Sequence, residues 1–238
     1  MVEYKKTERG AIVVEILYKS KNAVVIYKPA GIPSQSDPSG DSDAMTLTSA
    51  QLMSLGENDA LWLVHRLDRV VGGLLVFARN KRYAAILSEL VKDRLLTKEY
   101  YAIVDGAAEG EHVLEGYIYK DARMGKAFIT DRSRAGVKSA RLSYRALATV
   151  TTPRGAKTLV YVTLDTGRFH QIRAQLSYER LPITGDGKYG SRDNAAHNIA
   201  LMATHLAVDM PSEKVDVSRL PDLSQYPWSL FDETCYKL

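Results

Sequence analysis

Cysteine is almost absent from this chain. Cys235 is the only one in 238 residues, so no internal disulfide can form, and such usage fits a reducing compartment, the cytoplasm. Long apolar runs are missing too. None approaches the roughly 20 residues that a membrane helix needs. The first stretch, MVEYKKTERG, lacks the apolar centre of a secretory signal. The five histidines form no close pairs (His197 and His205 stand eight apart), which argues against a metal site. Net charge is only +4, compatible with a polyanionic partner without requiring one.

What is present is ordinary for a globular chain: 45% hydrophobic and 25% charged residues, enough for a real core in one large domain or two small ones. We expect a single domain over residues 1–238, monomeric by default. Charge is unevenly spread. Between Lys120 and Arg145 eight basic residues stand against Asp121 and Asp131. A solvated strand face would read this way, and so would a phosphate-contacting patch centred on Arg141, Arg145 and the loop from Lys120 to Arg134.

Read in order, IVVEILY (12–18) and AVVIY (23–27) are β-branched runs around a turn, a strand pair. YKPAGIPS ends the second, its prolines and glycine stiffening the exit. Residues 34–43, SQSDPSGDSD, form a polar loop expected to be mobile. A short helix follows over Met45–Leu55. Asn80 is placed to cap a second over Lys81–Lys92, with Ala84, Leu87, Leu90 and Val91 as its core stripe. In residues 136–147, Ser139, Arg141, Ser143 and Arg145 alternate with Ala140, Leu142, Tyr144 and Ala146, a half-buried strand partnered by 158–165 in an antiparallel meander. A helix is expected over His170–Tyr178, and a closing helix around Trp228 and Phe231.

The stretch VHRLDRVVGGLLVFARN (64–80) reads as strand, tight loop, strand, with His65, Arg66 and Asp68 around Leu67. Such a loop can hold a carboxylate at the rim of a sheet. An Asp in this setting is equally a turn former or a surface ion pair.

The motifs together resemble the RluA family of RNA pseudouridine synthases. HRLD with a following glycine resembles its active-site loop; KEYYAIVDG (98–106) and GRFHQIR (167–173) resemble two further blocks, and YKPAG resembles NKPAG, with Tyr27 where Asn is usual. The resemblance covers roughly residues 12–33 and 61–208 and is to compact members without an S4 module. It implies an α/β chain of α+β type, with a mixed, largely antiparallel sheet, flanking helices and a central RNA-binding cleft.

The implied reaction isomerises a uridine in ribosomal or transfer RNA. The C1′–N1 bond breaks, the uracil turns, and a C1′–C5 bond forms, with no redox change and no cofactor or metal. In the resemblance Asp68 is the essential carboxylate, either attacking C1′ or initiating proton loss at C2′. Arg173 pairs with it and keeps it ionised, and Tyr100 lies against the target base. Arg66 fills the gap left by the flipped nucleotide. His65, Leu67, Arg168, His170, Gln171 and Ile172 complete the substrate-binding set with Arg141 and Arg145. One departure stands out: Val71 and Gly72 replace the family's usual Thr and Ser. It keeps open an inactive RNA-binding or RNA-remodelling relative. A glycoside-cleaving enzyme would want a second carboxylate, for which Asp186, in a glycine-framed turn, is the candidate.

Overall fold

The β-branched and alternating runs become strands in the computed structural model, which describes residues 14–236. In chain order they are β1 (Glu15–Lys19), β2 (Ala23–Lys28), β3 (Trp62–Leu63), β4 (Gly72–Ala78), β5 (Thr97–Asp105), β6 (Glu111–Asp121), β7 (Lys126–Thr130), β8 (Lys138–Thr152), β9 (Gly155–Leu164), β10 (Leu201–Met210) and β11 (Glu213–Ser218). Three α-helices accompany them: α1 (Ala44–Ser54), α2 (Lys81–Lys92) and α3 (Gln171–Tyr178). The class is α+β, and the sheet is largely antiparallel. The MVEYKKTERG stretch and the start of the expected 12–18 strand lie outside the described residues. No described helix is long and apolar enough to cross a membrane. Contacts gather into two compact units.

The first unit runs to Thr97 and includes Ala203–Arg219. Its strands lie in the order β1-β2-β4-β10, with β11 beside β10 and β3 beside β4. Ser20 closes the β1–β2 hairpin, its Oγ accepting the Asn22 and Ala23 N–H groups at 3.0 and 3.1 Å. The register of β2 on β4, from Ala23 opposite Ala78 to Lys28 opposite Gly73, brings the end of β2 beside the start of β4. That register positions the Asp68 loop. Helix α2 forms where the sequence places it, because its signals are local. Asn80 Oδ1 accepts the Tyr83 N–H at 3.0 Å, and Tyr83 and Leu87 bury against Leu74, Val76, Leu206 and Val208. Helix α1 starts one residue before the expected span, capped by Asp43, which accepts the Thr46 N–H at 2.9 Å.

The second unit comprises Lys98–Met202 and the tail from Leu220, and orders its main strands β5-β9-β8-β6-β7. Along β8 the period of two holds: Ala140, Leu142 and Tyr144 are buried while Arg141 and Arg145 are exposed. Strand β5 differs, since all five residues from Tyr100 to Val104 are buried. Its second face is covered by aromatics, Tyr101 packing on Tyr161 and Tyr236 with ring centroids 5.2 and 5.1 Å apart. The closing helix expected around Trp228 and Phe231 takes the form of two 3₁₀ turns, Trp228–Leu230 and Glu233–Tyr236.

Candidate active site

The residues expected in the site divide between the units, and each unit builds its part separately. In the first, the backbone of the 64–71 loop is clamped by the segment after β2. Ser34 Oγ accepts the Leu67 N–H at 3.0 Å and donates to the Leu67 carbonyl at 2.9 Å. The Gly31 N–H donates to the Arg69 carbonyl at 2.7 Å, and Arg69 Nε returns a bond to the Gly31 carbonyl at 3.0 Å. The Val71 N–H closes a turn on the Asp68 carbonyl at 3.0 Å. Asp68 is thus held from both sides along the chain, its side chain partly exposed. Gly73, with φ of 121°, ends the loop; a Cβ there would stand 2.2 Å from the Ala203 carbonyl oxygen, so only glycine fits.

Beneath this loop lies a group that the sequence reading did not single out. The Lys28 side chain is fully buried, and its ammonium donates to the carbonyls of Pro29, Ile32 and Arg69 at 3.0, 2.8 and 3.3 Å. Three acceptors match the three protons of an ammonium. Burial lowers its pKa to about 7, opposed by the negative charge of Asp68. The same attraction, read from the other side, favours the ionised form of Asp68. The signal was a lysine ending an apolar strand immediately before Pro-Ala-Gly.

The other loop residues have distinct surroundings. His65 Nε2 accepts the Val76 N–H at 3.2 Å, a structural bond that leaves the ring proton on Nδ1. Leu67 is 6% exposed and presents little surface to a substrate. Arg66 is exposed. The polar 34–43 loop has no regular structure, and Arg69 ties it to the Asp68 loop through Ser39, Asp37 and Asp41.

In the second unit Arg173 projects from α3 into the interior and forks onto Asp186, Nε to Oδ2 at 2.6 Å and Nη2 to Oδ1 at 2.9 Å. The two side chains are 5% and 2% exposed. The guanidinium also lies 4.9 Å from the centre of the Tyr189 ring. Asp186 therefore serves as the buried counter-ion of Arg173. Tyr100 is 5% exposed, on the same β5 face as Ala102 and Val104.

His170 takes the left-handed conformation, φ 53°, immediately before α3. The Ala127 N–H donates to the Tyr189 hydroxyl at 2.7 Å, and that hydroxyl is hydrogen-bonded to His170 Nδ1 at 2.9 Å. Burial, with Arg173, Lys188 and Lys120 nearby, lowers the His170 pKa from 6.5 to about 3. The unfolded chain thus takes up a proton between pH 6.5 and 3 that the folded chain refuses, so this residue's contribution to stability is lost as pH falls through that window. His170→Asn, which tolerates the same backbone, is expected to flatten the acid limb, as read from urea midpoints of the two proteins at stepped pH.

Gln171 is an organiser of this corner. Its Oε1 accepts from Thr166 Oγ1 at 2.8 Å and the Arg168 N–H at 3.0 Å, while Nε2 donates to the Arg141 carbonyl at 3.1 Å and Gln175 Oε1 at 2.9 Å. Arg168 Nε donates to the Ser139 carbonyl at 2.9 Å. Ile172 is 5% exposed, a core residue. The strand register reveals neighbours that a count of charges along the chain misses. Arg141 lies between Glu115 at 2.5 Å and Asp165 at 2.6 Å, and Arg145 faces Glu111 at 3.8 Å.

Three comparisons bear on identity. The sequence pattern of the RNA pseudouridylate synthase family matches residues 22–178, a span that runs through both units. The chain is 29% identical over 223 residues to "Ribosomal large subunit pseudouridine synthase D" of Borreliella burgdorferi, covering 91% of this chain and 66% of that one. It is 29% identical over 244 residues to "tRNA pseudouridine synthase C" of Haemophilus ducreyi, covering 92% and 98%. Among solved structures, "Human RNA Pseudouridylate Synthase Domain Containing 1" matches 93% of this chain and 87% of its own with a TM-score of 0.76 at 22% identity, a likeness of fold.

Proposed function

Because the chain belongs to the RluA family of RNA pseudouridine synthases, whose reaction is an isomerisation, we propose that it converts a uridine in RNA to pseudouridine with Asp68 as the essential carboxylate. The observation that carries this is the clamped loop inside the matched span: a partly exposed carboxylate fixed through its own backbone, with a buried ammonium under it. Preorganisation of this kind is what a reaction at one sugar carbon needs.

In this reading Asp68 acts at the ribose, by attack at C1′ or by initiating proton loss at C2′, while the glycosidic bond breaks. Arg173 is its charge partner. Tyr100 packs on the uracil as it turns and handles the C5 proton. Arg66, exposed beside Asp68, takes the place of the flipped nucleotide. The sequence of bond changes is redox-neutral, and the reading calls for no cofactor or metal. The relatives' names point to ribosomal and transfer RNA alike, so the substrate in this reading is a structured stem-loop of either. We take the protein to be a cytoplasmic monomer whose catalytic domain is the whole chain. Nucleoside mass spectrometry of RNA incubated with the protein tests the proposal: pseudouridine should appear and free uracil should not.

Phosphate contacts in this reading come from the basic segment between Lys120 and Arg145. Its members are not equivalent. Arg141 and Arg145 have carboxylates beside them, whereas Lys120, Arg123 and Arg132 have none within ion-pair distance among the described residues. Each phosphate contact contributes a slope of about −0.7 to −0.9 in log K against log salt. Reversing Lys120, Arg123 and Arg132 to Glu is expected to flatten the salt dependence of RNA binding by about two, and reversing Arg141 and Arg145 by less than one. Filter binding across a salt series reads both slopes.

A further inference from the structure

Two adjacent glycines begin β4 for different reasons. Gly73 is required by its positive φ and by the backbone of Ala203. Gly72 has no such φ, so its backbone suits any residue. What a side chain there would meet is limited room. A Cβ on Gly72 would stand 3.3 Å from the Tyr27 hydroxyl, 3.4 Å from the Ala30 nitrogen and 3.5 Å from the Lys28 carbonyl oxygen. Tyr27 cannot easily retreat, because its ring is covered from another side. The Arg219 guanidinium lies 4.5 Å from the ring centre. It is anchored by a 2.7 Å ion pair to Glu15, the residue directly opposite Tyr27 in the β1–β2 register. The Arg219 N–H is fixed in turn on the Thr204 carbonyl at 2.8 Å.

This contact sits next to the proposed carboxylate. Gly72 follows Val71, whose N–H holds the Asp68 carbonyl at 3.0 Å, so a displacement at Gly72 reaches Asp68 through one residue. Tyr27 and Gly72 are also two of the positions where this sequence departs from the blocks it otherwise resembles. The contact makes these departures a matched pair.

We infer that Tyr27 is a positioning residue for Asp68: its hydroxyl, 3.3 Å from where a Cβ on Gly72 would stand, fixes the point where the Asp68 loop rejoins β4. The inference rests on the functional reading above. Tyr27 touches no reacting atom in it; it sets the geometry of the residue that does.

The test is a cycle of Tyr27→Phe, Gly72→Ala and the double variant. Each is assayed by single-turnover pseudouridine formation on the RNA fragment that the wild type modifies, alongside its thermal midpoint. Gly72→Ala pushes the new methyl against the hydroxyl, and a shift of a few tenths of an ångström at a catalytic group is expected to lower the saturating rate about tenfold. The half-saturating RNA concentration should stay within about twofold. Tyr27→Phe alone, which removes the oxygen that positions the loop, should lower the saturating rate by about threefold, and an unchanged rate overturns the inference. The double variant, in which loss of the oxygen makes room for the methyl, should return to within about threefold of wild type, a coupling that unlinked sites do not show. Additive losses overturn the inference, as does a Gly72→Ala loss confined to half-saturation or to the thermal midpoint. If Gly72→Ala does not fold, a folded and active double variant is the expected rescue, and an unfolded double variant overturns it. Wild-type protein that forms no pseudouridine removes the functional reading and this inference together; product from the wild type without suppression removes the inference alone.

Discussion

Asp68→Asn is expected to abolish pseudouridine formation while leaving the fold in place. The substitution keeps the shape of the side chain and removes its charge and nucleophilicity. The bonds that hold the loop run through the backbone of Leu67, Asp68 and Arg69, to Ser34, Val71, Gly31 and Lys28, and an amide leaves them alone. Loss of a group at the centre of the chemistry costs on the order of 10⁴ to 10⁶ in rate, against a thermal midpoint expected to move by only a few degrees. One further consequence is electrostatic. The charge of Asp68 raises the Lys28 pKa, against the burial that lowers it, so the variant's Lys28 should give up its proton at lower pH than in the wild type. A rate that falls less than tenfold with an intact fold would remove Asp68 from its role.

Asp186→Ala has the second largest expected effect, and it falls on stability as well as activity. Arg173 and Asp186 are both nearly inaccessible and meet through two parallel bonds at 2.6 and 2.9 Å. Removing one partner of such a pair strands the other charge in a medium that cannot solvate it, a loss of about 3–5 kcal/mol. For a chain of this length that corresponds to a fall of roughly 10 °C in thermal midpoint. Activity should fall further than stability explains, because the pair holds the guanidinium that the functional reading assigns to the charge of Asp68. Circular dichroism melts and the single-turnover assay, run on the same preparation below the variant's midpoint, separate the two effects. A midpoint within about 2 °C of wild type would mean that the pair contributes little to the fold.

Local signals made much of this fold legible in the sequence. Helix α2 is marked by Asn80 and by a stripe at helical spacing, and both causes lie within a dozen residues. The alternation of β8 is legible for the same reason. What escaped depends on partners distant in the chain. The second face of β5 is buried because Tyr236, far along the sequence, folds over Tyr101; no pattern within β5 announces that. Arg141 and Arg145 read as a basic stripe until the register sets Glu115 and Glu111 across from them. The tail reads as a helix from its aromatics and is realised as two short 3₁₀ turns.

The site shows the same division. Asp68 stands out because its motif is contiguous, and the order of the blocks points to the family. Lys28 did not stand out, because its acceptors are backbone carbonyls placed by loop conformation rather than by residue type. The role of Asp186 was hidden by its setting in a glycine-framed turn, which gives no hint that its carboxylate turns inward to Arg173. The closeness of Tyr27 to Gly72 is likewise a product of strand register, since β2 and β4 are separated in the chain by α1, β3 and their loops.

The most direct test of the central claim is pseudouridine mapping of cellular RNA, by carbodiimide labelling and primer extension, in cells carrying the wild-type gene, no gene, or the Asp68→Ala variant. A uridine whose mark is present with the wild type and missing from both other strains is the predicted result, and it identifies the substrate as well. A mark that is missing without the gene but survives Asp68→Ala, or a pattern unchanged in all three strains, would contradict the account.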